Sequence, residues 1–267
     1  MSETYIQSFD GTRLYLKKEI PPEPKAVLVV VHGLCEHQGR YDYFAEKLIA
    51  EGYSIYRFDH RGHGKSDGKR VFYNSKDEIV DDINEVVSLA VKEHPSLKVF
   101  LFGHSMGGFA VSLFGAKYPG KVAGIITSGA LTTNNSGFGT NLPAELPLDS
   151  YIPNTLSDGV CSDPAVVKAY VDDPLVEKEI GVGLMVNLAK GVGWLTENAE
   201  KFVEPVLILH GCNDGIVSEK DARDFYGLIS SADKELTIYA NLFHEILNEP
   251  RKDEIIDDIK RWLIKHL

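Results

Sequence analysis

Residues 101–108 read Leu-Phe-Gly-His-Ser-Met-Gly-Gly, and no other stretch constrains the fold as tightly. An apolar run, 99–102, precedes Gly103, and a run of helical character, 109–118, follows and stops at Pro119-Gly120. A serine between two glycines, where a strand turns abruptly into a helix, is the elbow pattern of a hydrolytic nucleophile. The turn holds the serine in backbone space that side chains rarely enter, so its neighbours must lack Cβ atoms, as Gly103 and Gly107 do. The Ser105 hydroxyl is then left exposed above the sheet. The Met106 N–H falls at the helix start, where it has no intrahelical acceptor. The five-residue pattern alone is common; its strand–turn–helix setting and the partners below make Ser105 a candidate nucleophile.

The 267 residues suffice for one large α/β domain with a substantial core. A net charge of -11 weighs against nucleic acid and against charge-driven binding to anionic membranes. No basic segment followed by an apolar run opens the chain, and no stretch is long and apolar enough to span a bilayer. Three cysteines, Cys35, Cys161 and Cys212, cannot all pair and lack metal-type spacing, which fits a reducing cytoplasm.

Asp10-Gly11 lies between two alternating runs, 4–9 and 12–17, and predicts a hairpin. A continuous apolar run at 26–31 predicts a strand buried on both faces, 99–102 reads as a buried strand, and 53–58, 122–127, 206–209 and 235–239 predict further strands. Helical spacing at 43–50, 77–92, 109–118, 221–229 and 253–267 separates them. This alternation predicts a mostly parallel sheet flanked by helices, with the active site beyond the carboxyl ends of the strands. From 130 to 205 the pattern breaks and no strand is evident. Residues 132–139 are polar, 142–153 are broken by proline, and 166–170 and 177–195 have helical character. An apolar insertion of this length predicts a helical cap, 131–204, over a core formed by 1–130 and 205–267. Within it, 181–188 is apolar nearly all round. Leu184 and Leu188 are therefore candidates to line an acyl tunnel as well as to pack the cap, with glycines costing about 1 kcal/mol each to keep the helix loose.

A serine hydroxyl needs a base, and the base needs a carboxylate to orient it. With the elbow, the chain order is serine, acid, histidine. Of the histidines well past Ser105, His210 falls within or at the end of a strand, ahead of any acid, and His266 sits on the last turn of a surface helix. His244, in the loop after the last strand, is the candidate base. Asp214, in the loop after 206–209, is the candidate acid; Asp221 and Asp224 read as the solvated first turn of the next helix. Glu245 adjoins the base and is a weak rival. A second oxyanion donor is expected after the first long buried strand, at the Leu34 N–H, beside that of Met106. The segment 59–64, Asp-His-Arg-Gly-His-Gly, reads as scaffold: tight turns with buried polar pairs.

Together, His32-Gly33-x-x-Glu36-His37-x-Gly39-Arg40-Tyr41, Asp59-His60-x-Gly62-His63-Gly64-x-Ser66-x-Gly68, Gly103-His104-Ser105-Met106-Gly107-Gly108 and Asp173-Pro174-Leu175 resemble the monoacylglycerol lipase and lysophospholipase group of the α/β-hydrolase superfamily. The resemblance covers nearly the whole chain and is weakest in the cap. It implies a cofactor-free serine hydrolase acting on single-acyl-chain lipid esters, with Ser105, Asp214 and His244 as triad and Leu34 and Met106 as oxyanion donors. It also implies that Glu36 and Arg40 lie near the alcohol pocket, where a purely structural ion pair is the competing reading. Two positions depart: Leu247 stands where animal relatives often carry a second histidine, and Cys35 replaces a small residue beside the oxyanion loop. A lysophospholipase, a short- or medium-chain carboxylesterase and an acyltransferase would use the same residues. A non-catalytic receptor or scaffold would not need the complete triad. The small-molecule ester is the expected partner, with transient membrane or micelle contact through the cap and no nucleic acid.

Overall fold

The computed structural model describes residues 1–139 and 146–267. Strands β1 (Ser2–Gln7) and β2 (Arg13–Glu19) form the expected antiparallel hairpin, turning at Gly11 with φ +87°. There follow β3 (Ala26–Val31), α1 (Asp42–Ala50), β4 (Tyr53–Phe58), α2 (Glu78–Glu93), β5 (Val99–His104), α3 (Met106–Lys117) and β6 (Gly124–Ser128). After the insertion come β9 (Val206–Gly211), α6 (Glu219–Leu228), β10 (Lys234–Tyr239) and α7 (Lys252–Lys265). These strands form one eight-stranded sheet in the order β1-β2-β4-β3-β5-β6-β9-β10. Pairings from β4 through β10 are parallel, and the hairpin makes the antiparallel edge.

The strand run 26–31 shows why the apolar stretches do not alternate. Val27, Val29 and Val31 point into one core cluster with α2, α3 and α6, whereas Ala26, Leu28 and Val30 point into a second with α1 and α7. A strand covered on both faces must be apolar at both parities. Every central strand therefore ends at the same rim, and the loops after β3, β5, β9 and β10 meet there.

The insertion corrects the reading of a strandless segment. It contains β7 (Tyr151–Pro153) and β8 (Glu179–Gly181), paired antiparallel, with α4 (Pro164–Asp172) between them and α5 (Val182–Glu197) after. Three-residue strands are too short to leave a periodic signal. Of the proline-broken stretch 142–153, residues 142–145 lie outside the described residues. Gly183 and Gly191 of α5 serve close packing and not looseness. A Cβ on Gly183 would fall 2.3 Å from the Phe72 ring, and one on Gly191 2.6 Å from the Phe109 ring. Leu184 is fully buried in the main core cluster, so it packs the helix down.

Asp221 is likewise not a solvated first-turn acid. It is fully buried and accepts the backbone N–H groups of Thr132, Thr133, Asn134 and Asn135 at 2.8–3.1 Å, plus the Asn135 side chain at 2.9 Å. One carboxylate thus fixes the chain where it leaves β6 for the insertion. Asp221→Ala strands these donors, and urea unfolding is expected to show a loss of about 2–3 kcal/mol.

Candidate active site

Ser105 sits between β5 and α3 with φ +54° and ψ -119°, a conformation that costs a non-glycine residue about 1–3 kcal/mol. The packing around it leaves no room for relief. A Cβ on Gly103 would lie 2.3 Å from the Gly107 carbonyl oxygen, and one on Gly107 2.2 Å from that of Val31. The Ser105 N–H donates to the Ser128 carbonyl at 2.9 Å.

The loop after β3 closes over the serine. A Cβ on Gly33 would stand 3.1 Å from Ser105 Cβ. Glu36 shapes this loop: its Oε1 accepts the Gly33 N–H and the Tyr41 hydroxyl, both at 2.6 Å. The N–H groups of Leu34 and Met106 make no hydrogen bond to protein among the described residues, and both residues line the cavity at Ser105. Cys35 follows with φ +64°, its carbonyl accepting the Glu177 N–H at 2.8 Å. Burial, aided by Glu177 and Glu36, pushes its thiol far up, so it is inert packing.

Asp214 and His244 meet at the same rim. His244 Nδ1 lies 2.6 Å from Asp214 Oδ2, while Oδ1 accepts the Ile216 and Val217 N–H groups at 2.9 Å each. Burial disfavours charge on both, but their attraction for each other, with His210 acting on Asp214 and Glu245 and Glu36 acting on His244, outweighs it: Asp214 is held well below the usual carboxylate range and His244 is raised. His244 and Ser105 line one cavity with Gly33, Leu34, Glu36 and His104. The Ser105 hydroxyl makes no hydrogen bond to His244 here; such contacts are often long until a substrate occupies the site.

Arg40 joins two loops. It donates to Glu36 Oε2 at 2.8 Å and to both oxygens of Glu245 at 2.5 and 2.8 Å, and its guanidinium lies 4.9 Å from the centre of the Tyr170 ring. Both Glu245 oxygens are thus taken by Arg40, whereas Asp214 is within hydrogen-bond distance of His244. Glu36 and Arg40 form the structural ion pair and also border the cavity, through Glu36. Leu188 lines the apolar side of the site with Leu131, Phe138, Leu156, Ile216 and Val217, whereas Leu184 does not reach it. A further recess shares Glu36, His104 and Glu245 with the Ser105 cavity and is also lined by Tyr41, Leu247 and Asn248. The 59–64 segment is scaffold as expected: Asp59 accepts the Gln38 and Lys65 N–H groups, and His60 N–H donates to His32 Nε2.

Two histidines at the site were given no role by the sequence reading. His104, within the elbow itself, packs its ring 4.6 Å from that of His244; burial and the neighbouring His244 push its pKa down to about 3. His210 lies beside Asp214. Only side-chain direction, alternating along β5 and β9, could have revealed them.

The sequence profile of a family described as serine aminopeptidase, S33, matches residues 22–251. The chain belongs to this family. It is 35% identical to a monoacylglycerol lipase of Mycolicibacterium smegmatis, over 100% of this chain and 98% of the relative. It is 30% identical to human monoglyceride lipase, over 97% and 89% respectively. The crystal structure of Paleococcus ferrophilus monoacylglycerol lipase shares 32% identity and a TM-score of 0.82, covering 95% of this chain and 99% of that one. The fold is that of the α/β-hydrolases, and the family member described here is an enzyme, a serine ester hydrolase of the monoacylglycerol lipase group. Among the described residues no helix is long and apolar enough to cross a membrane, and no group of three or more His, Cys, Asp or Glu side chains is placed to hold a metal.

Proposed function

We propose that the chain hydrolyses monoacylglycerols through an acyl-enzyme on Ser105. His244 takes the hydroxyl proton as Ser105 Oγ bonds to the ester carbonyl carbon. The N–H groups of Leu34 and Met106 stabilise the oxyanion. The C–O bond to glycerol breaks as His244 returns the proton to the leaving oxygen. Water, deprotonated by His244, then releases the fatty acid and Ser105. Asp214 orients the ring and stabilises the imidazolium.

The observation that carries this reading is the lining around Ser105: apolar residues suited to one acyl chain line one cavity at Ser105, while Glu36, His104 and Glu245 border another cavity at Ser105 and continue into a polar recess. The recess contains two carboxylates and, among the described residues, no free cation, since Arg40 is already bound to both. That favours a neutral alcohol such as glycerol over a phosphate headgroup. Residues 131–204 act as the cap, and the half-exposed Leu148 and Val171 on it suit brief contact with a lipid surface. Three free cysteines favour a reducing cytoplasm.

A fluorophosphonate probe is expected to label one peptide, that containing Ser105. A turnover panel is expected to rank medium- and long-chain monoacylglycerols above lysophosphatidylcholine, p-nitrophenyl acetate and leucine p-nitroanilide. Labelling elsewhere, or lysophosphatidylcholine as the preferred substrate, would sink the reading.

A further inference from the structure

Asp214 has a second histidine against it that the mechanism above does not use. His210 lies on the last turn-ward residues of β9, four residues before Asp214, and is fully buried. Its Nε2 is 3.0 Å from Asp214 Oδ2, the same oxygen that His244 approaches. The same Nε2 is 3.1 Å from the Val217 carbonyl. Both neighbours are acceptors, so Nε2 must carry the proton. Nδ1 is buried with no hydrogen-bond partner and keeps its lone pair. Val217 in turn donates its N–H to Asp214 Oδ1. One imidazole N–H thus braces the turn that holds the carboxylate and stands against its reacting oxygen.

We propose that His210 is a positioning residue for the Asp214–His244 pair, fixing the carboxylate and tempering its pull on the His244 proton. The inference rests on the roles assigned to Asp214 and His244 above. A carboxylate oxygen with a second N–H-bearing ring nitrogen 3.0 Å away is less basic than one beside a single N–H group. Without His210, Oδ2 would hold the His244 imidazolium more strongly, and the base would be freed only at higher pH. The other groups bearing on His244 are the His104 ring from β5, Glu36 from the loop after β3, and Glu245 from its own loop. None of them changes in the test.

His210→Leu keeps the bulk and removes the N–H; His210→Gln keeps an amide N–H near the position of Nε2. In the Leu variant the acidic limb of kcat/KM for a monoacylglycerol is expected to move up by about one pH unit, roughly tenfold in the ionisation equilibrium, with kcat falling about tenfold. The Gln variant is expected to restore the midpoint and most of kcat. A folded Leu variant with the wild-type midpoint, or a Gln variant no better than Leu, overturns the proposal. Should the Leu variant not fold, 15N NMR of the wild-type enzyme decides. His210 is expected in the Nε2–H form, and an Nδ1–H form overturns the proposal because it has no proton to offer Asp214. Asp214→Asn, measured alongside, separates this from the mechanism: if it retains full turnover the catalytic assignment itself fails, whereas its loss with an unmoved Leu midpoint removes the role of His210 alone.

Discussion

Replacing Asp214 with asparagine is expected to lower kcat by about four orders of magnitude while leaving the protein folded. The local donors make the argument. Ile216 and Val217 both point N–H groups at Oδ1, so an asparagine must present its own oxygen there. Its NH2 then takes the place of Oδ2, 2.6 Å from His244 Nδ1. A donor facing Nδ1 requires that nitrogen to be unprotonated. The ring proton moves to Nε2, and the lone pair that should receive the Ser105 proton is lost. The pH response follows from the same pair. Burial lowers the His244 pKa, and Asp214 together with Glu245 and Glu36 raises it by more, so the net shift is upward. Since only neutral imidazole can act as base, wild-type kcat/KM falls as pH drops through that raised value. Residual activity in the asparagine variant is expected to persist to lower pH. Stopped assays across pH, with circular dichroism as a check on folding, measure both. A kcat within tenfold of wild type would remove Asp214 from the mechanism.

The second large effect is on stability. Arg40→Met is expected to cost about 3–5 kcal/mol at neutral pH, the usual consequence of stranding a buried charge. The Arg40 side chain is 10% exposed and that of Glu36 is 5% exposed, as is that of Glu245, so little water is available to either carboxylate once the guanidinium is gone. The sign with pH is specific. Burial pushes the Glu36 carboxyl up, but Arg40 and the donors around it hold it below its ordinary value. Its contribution to wild-type stability is therefore present above the unfolded carboxyl pKa and lost as pH falls through the lower folded one. Without Arg40 the folded pKa rises, so the variant is weakest at neutral and alkaline pH and recovers toward mildly acidic pH, where Glu36 takes up a proton. Arg40→Lys keeps a charge but cannot bridge Glu36 and both oxygens of Glu245, and is expected to fall between. Urea unfolding at mildly acidic and neutral pH tests this; equal loss at both would mean the damage is packing alone.

Much of the molecule was legible before any coordinates. The elbow at Ser105 is local: three glycines and a strand-to-helix switch specify it within eight residues. The buried strands announced themselves because both faces of β3, β5 and β9 are covered, and the hairpin because Asp10-Gly11 sits between alternating runs. Asp214 and His244 could be named because chain order and strand ends narrow the choice to a few residues. What misled was of another kind. Asp221 has the sequence of a solvated first-turn acid, yet its carboxylate points inward to gather four backbone donors from 132–135. Gly183 reads as a loosening residue, yet it lets α5 lie against Phe72. Leu184 and Leu188 are four residues apart on one helix, but only Leu188 reaches the cavity.

The order of residues along the chain determined the sheet and singled out the proposed nucleophile and its proposed partners, because these depend on periodicity, steric room and spacing between neighbours in sequence. Only the folded molecule decided how charges and rings from distant segments pair: Arg40 with Glu245 across 205 positions, and His210 against the oxygen that His244 uses. Such pairings depend on side-chain direction and distance at the common rim of the strands, and neither quantity exists until the sheet has brought its loops together.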